Sequence, residues 1–80
     1  MSDERPDRPT EQVRFFERAG PDARVALQRL GRELRAGGAE VELLVGIDQP
    51  DRWLLAVRGG GADPQLDAAT RRWRFRAVDW

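Results

Sequence analysis

Arginine alternates with aromatic residues close to the C-terminal end of this sequence, where residues 71–76 read RRWRFR. Because successive side chains of a strand point to opposite faces, Arg72, Arg74 and Arg76 would project together from one face of a sheet. Guanidinium groups in such a row can hold phosphates or the carboxylates of a partner protein. Trp80, a few residues further on, is available to stack beside them.

The same run has a structural interpretation, in which Trp73 and Phe75 belong to the core and the arginines pair with Glu40 and Glu42. Strand order decides between the two, because neighbouring strands lie about 4.8 Å apart and only neighbours pair directly. If the predicted strand of residues 72–78 lies beside the predicted strand of residues 39–47, Glu40 and Glu42 neutralise the arginines. If the strand of residues 52–58 lies between those two, the arginines stay available. In that second order the predicted partner-binding residues are Arg72, Arg74, Arg76, Trp80, Leu54 and Arg58. Both orders remain open at this point.

Catalysis has few side chains to draw on, because the chain contains no histidine, cysteine, tyrosine or lysine. Glu40 and Glu42 fall on one face of a predicted strand, and Asp48 and Asp51 share a predicted turn. Either pair could coordinate a hard cation or divide acid and base roles. Acids on exposed strand faces and in turns are more often ordinary solvation. The sequence therefore predicts no enzyme, no metal site and no cofactor.

Three consecutive glycines at positions 59–61 raise the question of a phosphate-binding loop. Backbone amides of glycine-rich loops can approach a phosphate closely, usually at the start of a long helix. No Lys-Ser or Lys-Thr pair follows these glycines, and no long helix is predicted after them. A flexible connection is the favoured interpretation.

A basic face on the second predicted helix suggests nucleic-acid binding. At about 100° per residue, five polar residues fall opposite the leucines of this helix. They are Arg24, Gln28, Arg29, Arg32 and Arg35. The helix could serve as the recognition helix of a helix-turn-helix, but such domains usually need a third helix to brace the pair. A solvated amphipathic helix is therefore favoured.

Two helices are predicted in the N-terminal half. The first covers residues 10–19, begins at Thr10 and ends at Gly20-Pro21. The second begins after Asp22, carries apolar residues at spacings of three and four, and ends at Gly37-Gly38.

Strands are predicted in the C-terminal half, where the apolar period changes to two. Residues 39–47 and 52–58 would form an antiparallel hairpin, and residues 72–78 a third main strand. The predicted fold class is α+β, with two N-terminal helices followed by a three- or four-stranded, mainly antiparallel sheet and one helix packed on one sheet face.

Length and charge limit the kinds of partner. Residues 1–9 are predicted to be a disordered tail, and residues 10–80 a single small α+β domain. Formal net charge is zero, with 14 basic and 14 acidic residues, so no overall field would steer the protein to nucleic acid. The N-terminal residues lack a signal-peptide pattern and no stretch is long enough to span a bilayer, which predicts a cytoplasmic protein without a membrane partner.

These features together favour a non-catalytic protein-binding module that acts on a larger protein partner. A small inhibitor, an accessory subunit and a mobile-element regulator all fit this expectation. The alternative is a nucleic-acid-binding protein that uses the arginine-rich second helix and the C-terminal strand. A homodimer is a further arrangement to consider, because a small sheet has an exposed edge that a second copy could cover.

Overall fold

The chain folds into one α-helix and four antiparallel strands of a single sheet in a computed structural model that describes residues 12–78. The elements are β1 (Gln12–Ala19), α1 (Ala23–Ala36), β2 (Glu40–Val45), β3 (Arg52–Arg58) and β4 (Arg71–Arg76). The strand order is β2-β3-β1-β4, so β2 and β4 form the two edges. The predicted tail, the Thr10 cap and Trp80 lie outside the described residues.

The predicted fold class is wrong, because residues 12–19 form the strand β1 and not the first of two helices. β1 pairs with β3 on one side and with β4 on the other, which makes it an inner strand. Its adjacent phenylalanines then serve both faces: Phe16 is fully buried and Phe15 is half-buried on the opposite face. The sequence lacks the usual strand alternation of apolar and polar residues here, because Phe16 shares its face with two charged residues, Arg14 and Arg18.

The second predicted helix is confirmed as α1, which ends just before Gly37 and Gly38. It lies against β1, β2 and β3 but does not contact β4. Its leucines Leu27 and Leu34 join Phe16, Leu55 and Val57 in the buried core.

Gly31 is a buried residue of α1 that faces β3. A Cβ atom at this position would lie 3.3 Å from Cδ1 of Leu55. A larger residue here would therefore press on the side chain of Leu55.

The predicted hairpin is also confirmed, since β2 and β3 pair antiparallel with Val41 opposite Val57 and Leu43 opposite Leu55. These four residues face α1. The alternation therefore placed these four residues on the core face correctly, whereas Val45 and Ile47 of the predicted strand 39–47 are exposed.

The strand order differs from both orders considered from the sequence. β1 lies between β3 and β4, so β4 touches neither β2 nor β3. The predicted pairing of the β4 arginines with Glu40 and Glu42 is wrong, because these acids are on the opposite edge strand. The prediction that Trp73 and Phe75 are core residues is also wrong, since both are exposed on the sheet face away from α1.

No helix within residues 12–78 is both long enough and apolar enough to cross a membrane.

Candidate functional site

One face of the sheet is covered by α1, and the other, here called the open face, has no helix against it within residues 12–78. Residues paired across an antiparallel sheet share a face, so the strand register gives the composition of the open face. Its main apolar residues are Val13, Phe15, Leu44, Leu54, Trp73 and Phe75. Leu44, Trp73 and Phe75 are 38%, 43% and 54% exposed. Apolar side chains thus run across all four strands with solvent access.

The two exposed aromatic residues of the open face have defined orientations. The indole N–H of Trp73 donates a hydrogen bond of 2.9 Å to the carboxylate of Glu17, and the guanidinium of Arg71 lies 5.7 Å from the centre of its ring. Phe75 meets Phe15 edge to face, with ring centroids 5.4 Å apart. Side chains already ordered in this way lose little entropy when a partner covers them.

Glu17 links Trp73 of β4 to Arg52 of β3. Its carboxylate accepts the hydrogen bond from Trp73 and forms an ion pair with Arg52 on β3. The hydrogen bond from Trp73, together with that from Arg52, holds the pKa of Glu17 below its ordinary value. Glu17 therefore stays ionised and keeps the Trp73 ring in place at neutral pH.

The arginine row of β4, which we define as Arg72, Arg74 and Arg76, projects on the α1 side of the sheet. Arg72 lies opposite Phe16 of β1 and Arg74 lies opposite Arg14. Because α1 does not reach β4, all three arginines are exposed. Arg72 forms an ion pair with Asp63.

Residues 59–70, here called the covering segment, lie over β1 beside the arginine row. Arg14, which is 8% exposed, donates hydrogen bonds of 2.6 Å to Asp63, 2.6 Å to the carbonyl of Gly59 and 3.2 Å to the carbonyl of Gly61. The glycine triplet therefore turns carbonyl oxygens toward a buried cation, which is the polarity opposite to that of a phosphate-binding loop.

Asp63 is the charge that neutralises Arg14. Burial alone would raise the pKa of Asp63, but the hydrogen bond from Arg14 and the nearby charge of Arg72 outweigh it and lower the pKa. Asp63 therefore holds Arg14 of β1 and Arg72 of β4 at the same time.

A second anchor of the covering segment lies on the same face of β1, at Arg18. Arg18 donates to Asp67 at 2.6 Å, to Thr70 at 3.0 Å and to Asp22 at 2.8 Å. The hydrogen bonds from Arg18 and Thr70 lower the pKa of Asp67, and the bonds to Asp67 and Asp22 raise the pKa of Arg18. The side chain of Asp22 is thus used by Arg18, and it makes no capping hydrogen bond to α1.

The predicted partner-binding residues do not share one face. Leu54 and Arg58 lie on the open face, whereas the arginine row lies on the other face. The two faces meet at the sheet edges, and β4 is the edge strand that carries the arginine row. Sequence reasoning missed the open-face roles of Phe15, Trp73 and Phe75, although the alternation within residues 71–76 already separated the aromatic residues from the arginines.

The basic face predicted for α1 is present in part. Arg24, Arg29, Arg32 and Arg35 are exposed, and Gln28 is half-buried. The guanidinium of Arg24 lies 5.7 Å from the ring centre of Trp53. The helix-turn-helix hypothesis is wrong, because β1 occupies the position of its first helix.

The carboxylate pairs considered for catalysis or metal binding belong to no larger group of possible metal ligands within residues 12–78. Glu40 lies opposite Arg58 and Glu42 lies opposite Ala56 on the open face. Within the described residues no group of three or more histidine, cysteine or acidic side chains is placed to hold a metal ion.

Comparison with known proteins leaves the surface chemistry as the guide to function. No family model matches the chain, and no curated protein or solved structure shows significant similarity to it.

Proposed function

We propose that this protein is a non-catalytic module that binds a larger protein partner through the open face of its sheet. The observation that carries the proposal is the pair of exposed aromatic side chains, Trp73 and Phe75, held in place by Glu17, Arg71 and Phe15. Interface hot spots are enriched in tryptophan and arginine and lie within an apolar centre surrounded by polar groups.

The edges of the open face have the polar character that such a surface needs. Arg52 and Glu17 form an ion pair at one end, and Glu40 and Arg58 lie opposite each other at the other end. An apolar centre between charged ends supports specific recognition more than general adhesion to apolar surfaces. The same proposal includes a cytoplasmic location. It also includes regulation of the partner, with this protein as an inhibitor, accessory subunit or mobile-element regulator.

The test compares three tagged versions of the 80-residue chain, each used for capture from a lysate of the source organism with nuclease present. They are the wild type, the double variant Trp73→Ser/Phe75→Ser, and Val25→Ser as the matched control. Val25 is 57% exposed on α1, so its replacement removes an exposed apolar side chain away from the open face. Circular dichroism first establishes that all three proteins are folded.

We expect the wild type and Val25→Ser to retain one protein in stoichiometric amount. The amount of that protein retained by the double variant should be lower by about tenfold or more. Equal retention by all three proteins would exclude the open face as the binding surface.

The four exposed arginines of α1 support the alternative of nucleic-acid binding. In that case recovery depends on omitting the nuclease. The affinity would also fall with salt, by roughly 0.9 in log affinity per log unit of salt for each phosphate contacted on duplex DNA.

A further inference from the structure

We infer that the free edge of β4 binds an extended segment of a protein partner in which acidic and apolar residues alternate. This inference rests on the proposed function, because it names the chemistry of the partner segment. The bound segment would add a strand to the sheet, next to β4. Such strand addition takes its affinity from backbone hydrogen bonds and its specificity from alternate side chains.

The backbone of β4 is available for this pairing. Among the strands of residues 12–78, β4 pairs with β1 alone, and all six residues of β4 are exposed. Apart from the ladder with β1, no backbone hydrogen bond within residues 12–78 involves a β4 residue. One edge of β4 therefore presents N–H and C=O groups to an added strand.

Two different rows of side chains border this edge. The arginine row lies on the α1 side, and Trp73 and Phe75 lie on the open face. Side chains of an added strand alternate between the same two faces, so every second residue would lie beside the arginine row and the others beside Trp73, Phe75 or Arg71. The edge of β4 is thus where one ligand reaches both rows.

Charge selects the residues that fit beside the arginine row. Arg72 is neutralised by Asp63, whereas Arg74 and Arg76 form no ion pair within the described part of the chain. Opposite charges across neighbouring strands stabilise pairing, and like charges oppose it. The segment therefore carries carboxylates on one face and apolar residues on the other.

A second copy of this chain fits the same edge poorly. Two β4 strands paired antiparallel with their faces aligned would place arginine opposite arginine, which is destabilising. The β2 edge of a second copy, aligned in the same way, would place Glu40 and Glu42 on the open face beside Trp73 and Phe75. Its acids would then miss the arginine row. An acidic strand from a different protein meets both requirements.

The test uses synthetic peptides of about eight residues, a typical strand length. The probe alternates glutamate and valine, and the control alternates lysine and valine. Two further glutamate peptides carry N-methyl groups on either the odd or the even residues, which removes N–H donors from one side of the strand and keeps the charge. Binding to the full chain is measured by fluorescence anisotropy, and amide exchange of residues 71–76 by NMR.

We expect the glutamate peptide to bind at least about tenfold more tightly than the lysine peptide, and one of the two N-methyl patterns to lose about tenfold or more. Those amides of residues 71–76 that point away from β1 should exchange more slowly in the complex. The variant Arg74→Glu/Arg76→Glu should reverse the preference between glutamate and lysine peptides. Arg29→Glu/Arg32→Glu on α1 is the matched control and should leave the preference unchanged.

Equal binding of both N-methylated peptides, or chemical-shift changes confined to α1 or β2, would overturn the inference. So would slow exchange of β4 amides in a dimer formed without peptide, which would identify a second copy as the occupant. The proposed function would still stand if capture depended on Trp73 and Phe75 while the peptides failed to bind. It would fail separately if the double variant captured the partner as well as the wild type.

Discussion

At the scale of single residues, the contact between Arg14 and Asp63 stands out because it places charge inside a small domain. The side chains of Arg14 and Asp63 are 9% and 22% exposed, and their nearest atoms lie 2.6 Å apart. A charge removed from water is costly unless it is paired and hydrogen-bonded. Here the carbonyls of Gly59 and Gly61 supply two further acceptors, so the pair can stabilise the position of the covering segment.

Replacing Asp63 by asparagine should lower the free energy of unfolding by about 2–3 kcal/mol, because Arg14 would keep its charge but lose its ionic partner. Arg72→Gln removes only the more exposed half of the Asp63 network and should cost less than about 1 kcal/mol. Urea unfolding followed by circular dichroism measures both values. Equal costs for the two variants would show that Arg14 does not depend on Asp63.

Gly60 is a residue at which backbone conformation and lack of space both limit substitution. Its φ angle is +81°, and an added Cβ would lie 2.8 Å from Cβ of Ala39. Gly60→Ala should therefore destabilise the protein by about 1–3 kcal/mol. Gly61→Ala is the control, since a Cβ there meets no atom within 4 Å, and it should be neutral or stabilising by up to about 1 kcal/mol. Thermal and urea unfolding measure the stability of both variants. An equal loss of stability in Gly60→Ala and Gly61→Ala would contradict this account.

At the scale of elements, β1 is the strand that organises the sheet, because β3 and β4 both pair with it. Its register brings Phe16 opposite Leu55 in the core and Phe15 opposite Ala56 on the open face. The two adjacent phenylalanines thus point to opposite faces of the sheet, as successive side chains of a strand do.

Alanine substitutions of the two phenylalanines of β1 should have unequal effects. Phe16→Ala creates a core cavity and should cost about 3–5 kcal/mol, which is most of the stability expected for a domain of this size. Phe15→Ala removes a half-buried side chain and should cost about 1 kcal/mol. Urea unfolding at neutral pH separates the two. A helix over residues 12–19 would not require this contrast, and similar losses would argue against the strand assignment.

At the scale of the whole molecule, α1 covers part of one face of a four-stranded sheet, and the covering segment extends that cover toward β4. Within residues 12–78 no helix lies on the opposite face. Carboxylates anchor both arrangements: Asp63 and Asp67 hold the covering segment, and Glu17 holds Trp73 on the open face.

Stability should therefore fall on acidification. The pKa values of Asp63, Asp67 and Glu17 are lowered in the folded protein. Between these lowered values and the ordinary carboxyl pKa values, the unfolded chain binds more protons than the folded protein, so stability rises with pH. The contribution is complete above the ordinary carboxyl range of about pH 4 and is lost as the pH falls through the lower folded values. Urea midpoints measured from pH 7 to pH 3 should decline, and the decline should be smaller for Asp63→Asn. An equal decline in this variant would remove Asp63 from the explanation.

Sequence patterns were sufficient for those elements whose periodicity is local. The leucines of α1 recur at helical spacing between Asp22 and two glycines, and the apolar residues of β2 and β3 alternate around a turn. They were not sufficient for β1, whose inward face combines Phe16 with Arg14 and Arg18. Nor did they predict the covering segment, which contributes Leu66 to the partly buried residues around the core.

The sequence alone determined α1, the β2–β3 hairpin and the separation of aromatic residues from arginines within β4, because each depends on spacing over a few residues. The tertiary structure decided that β1 is a strand, that it separates β4 from β3, and that the aromatic residues rather than the arginines occupy the open face. The physical reason is that these features depend on partners far apart in the chain. Arg14 is stabilised inside the protein by Asp63, 49 residues away, and Trp73 is oriented by Glu17, 56 residues away.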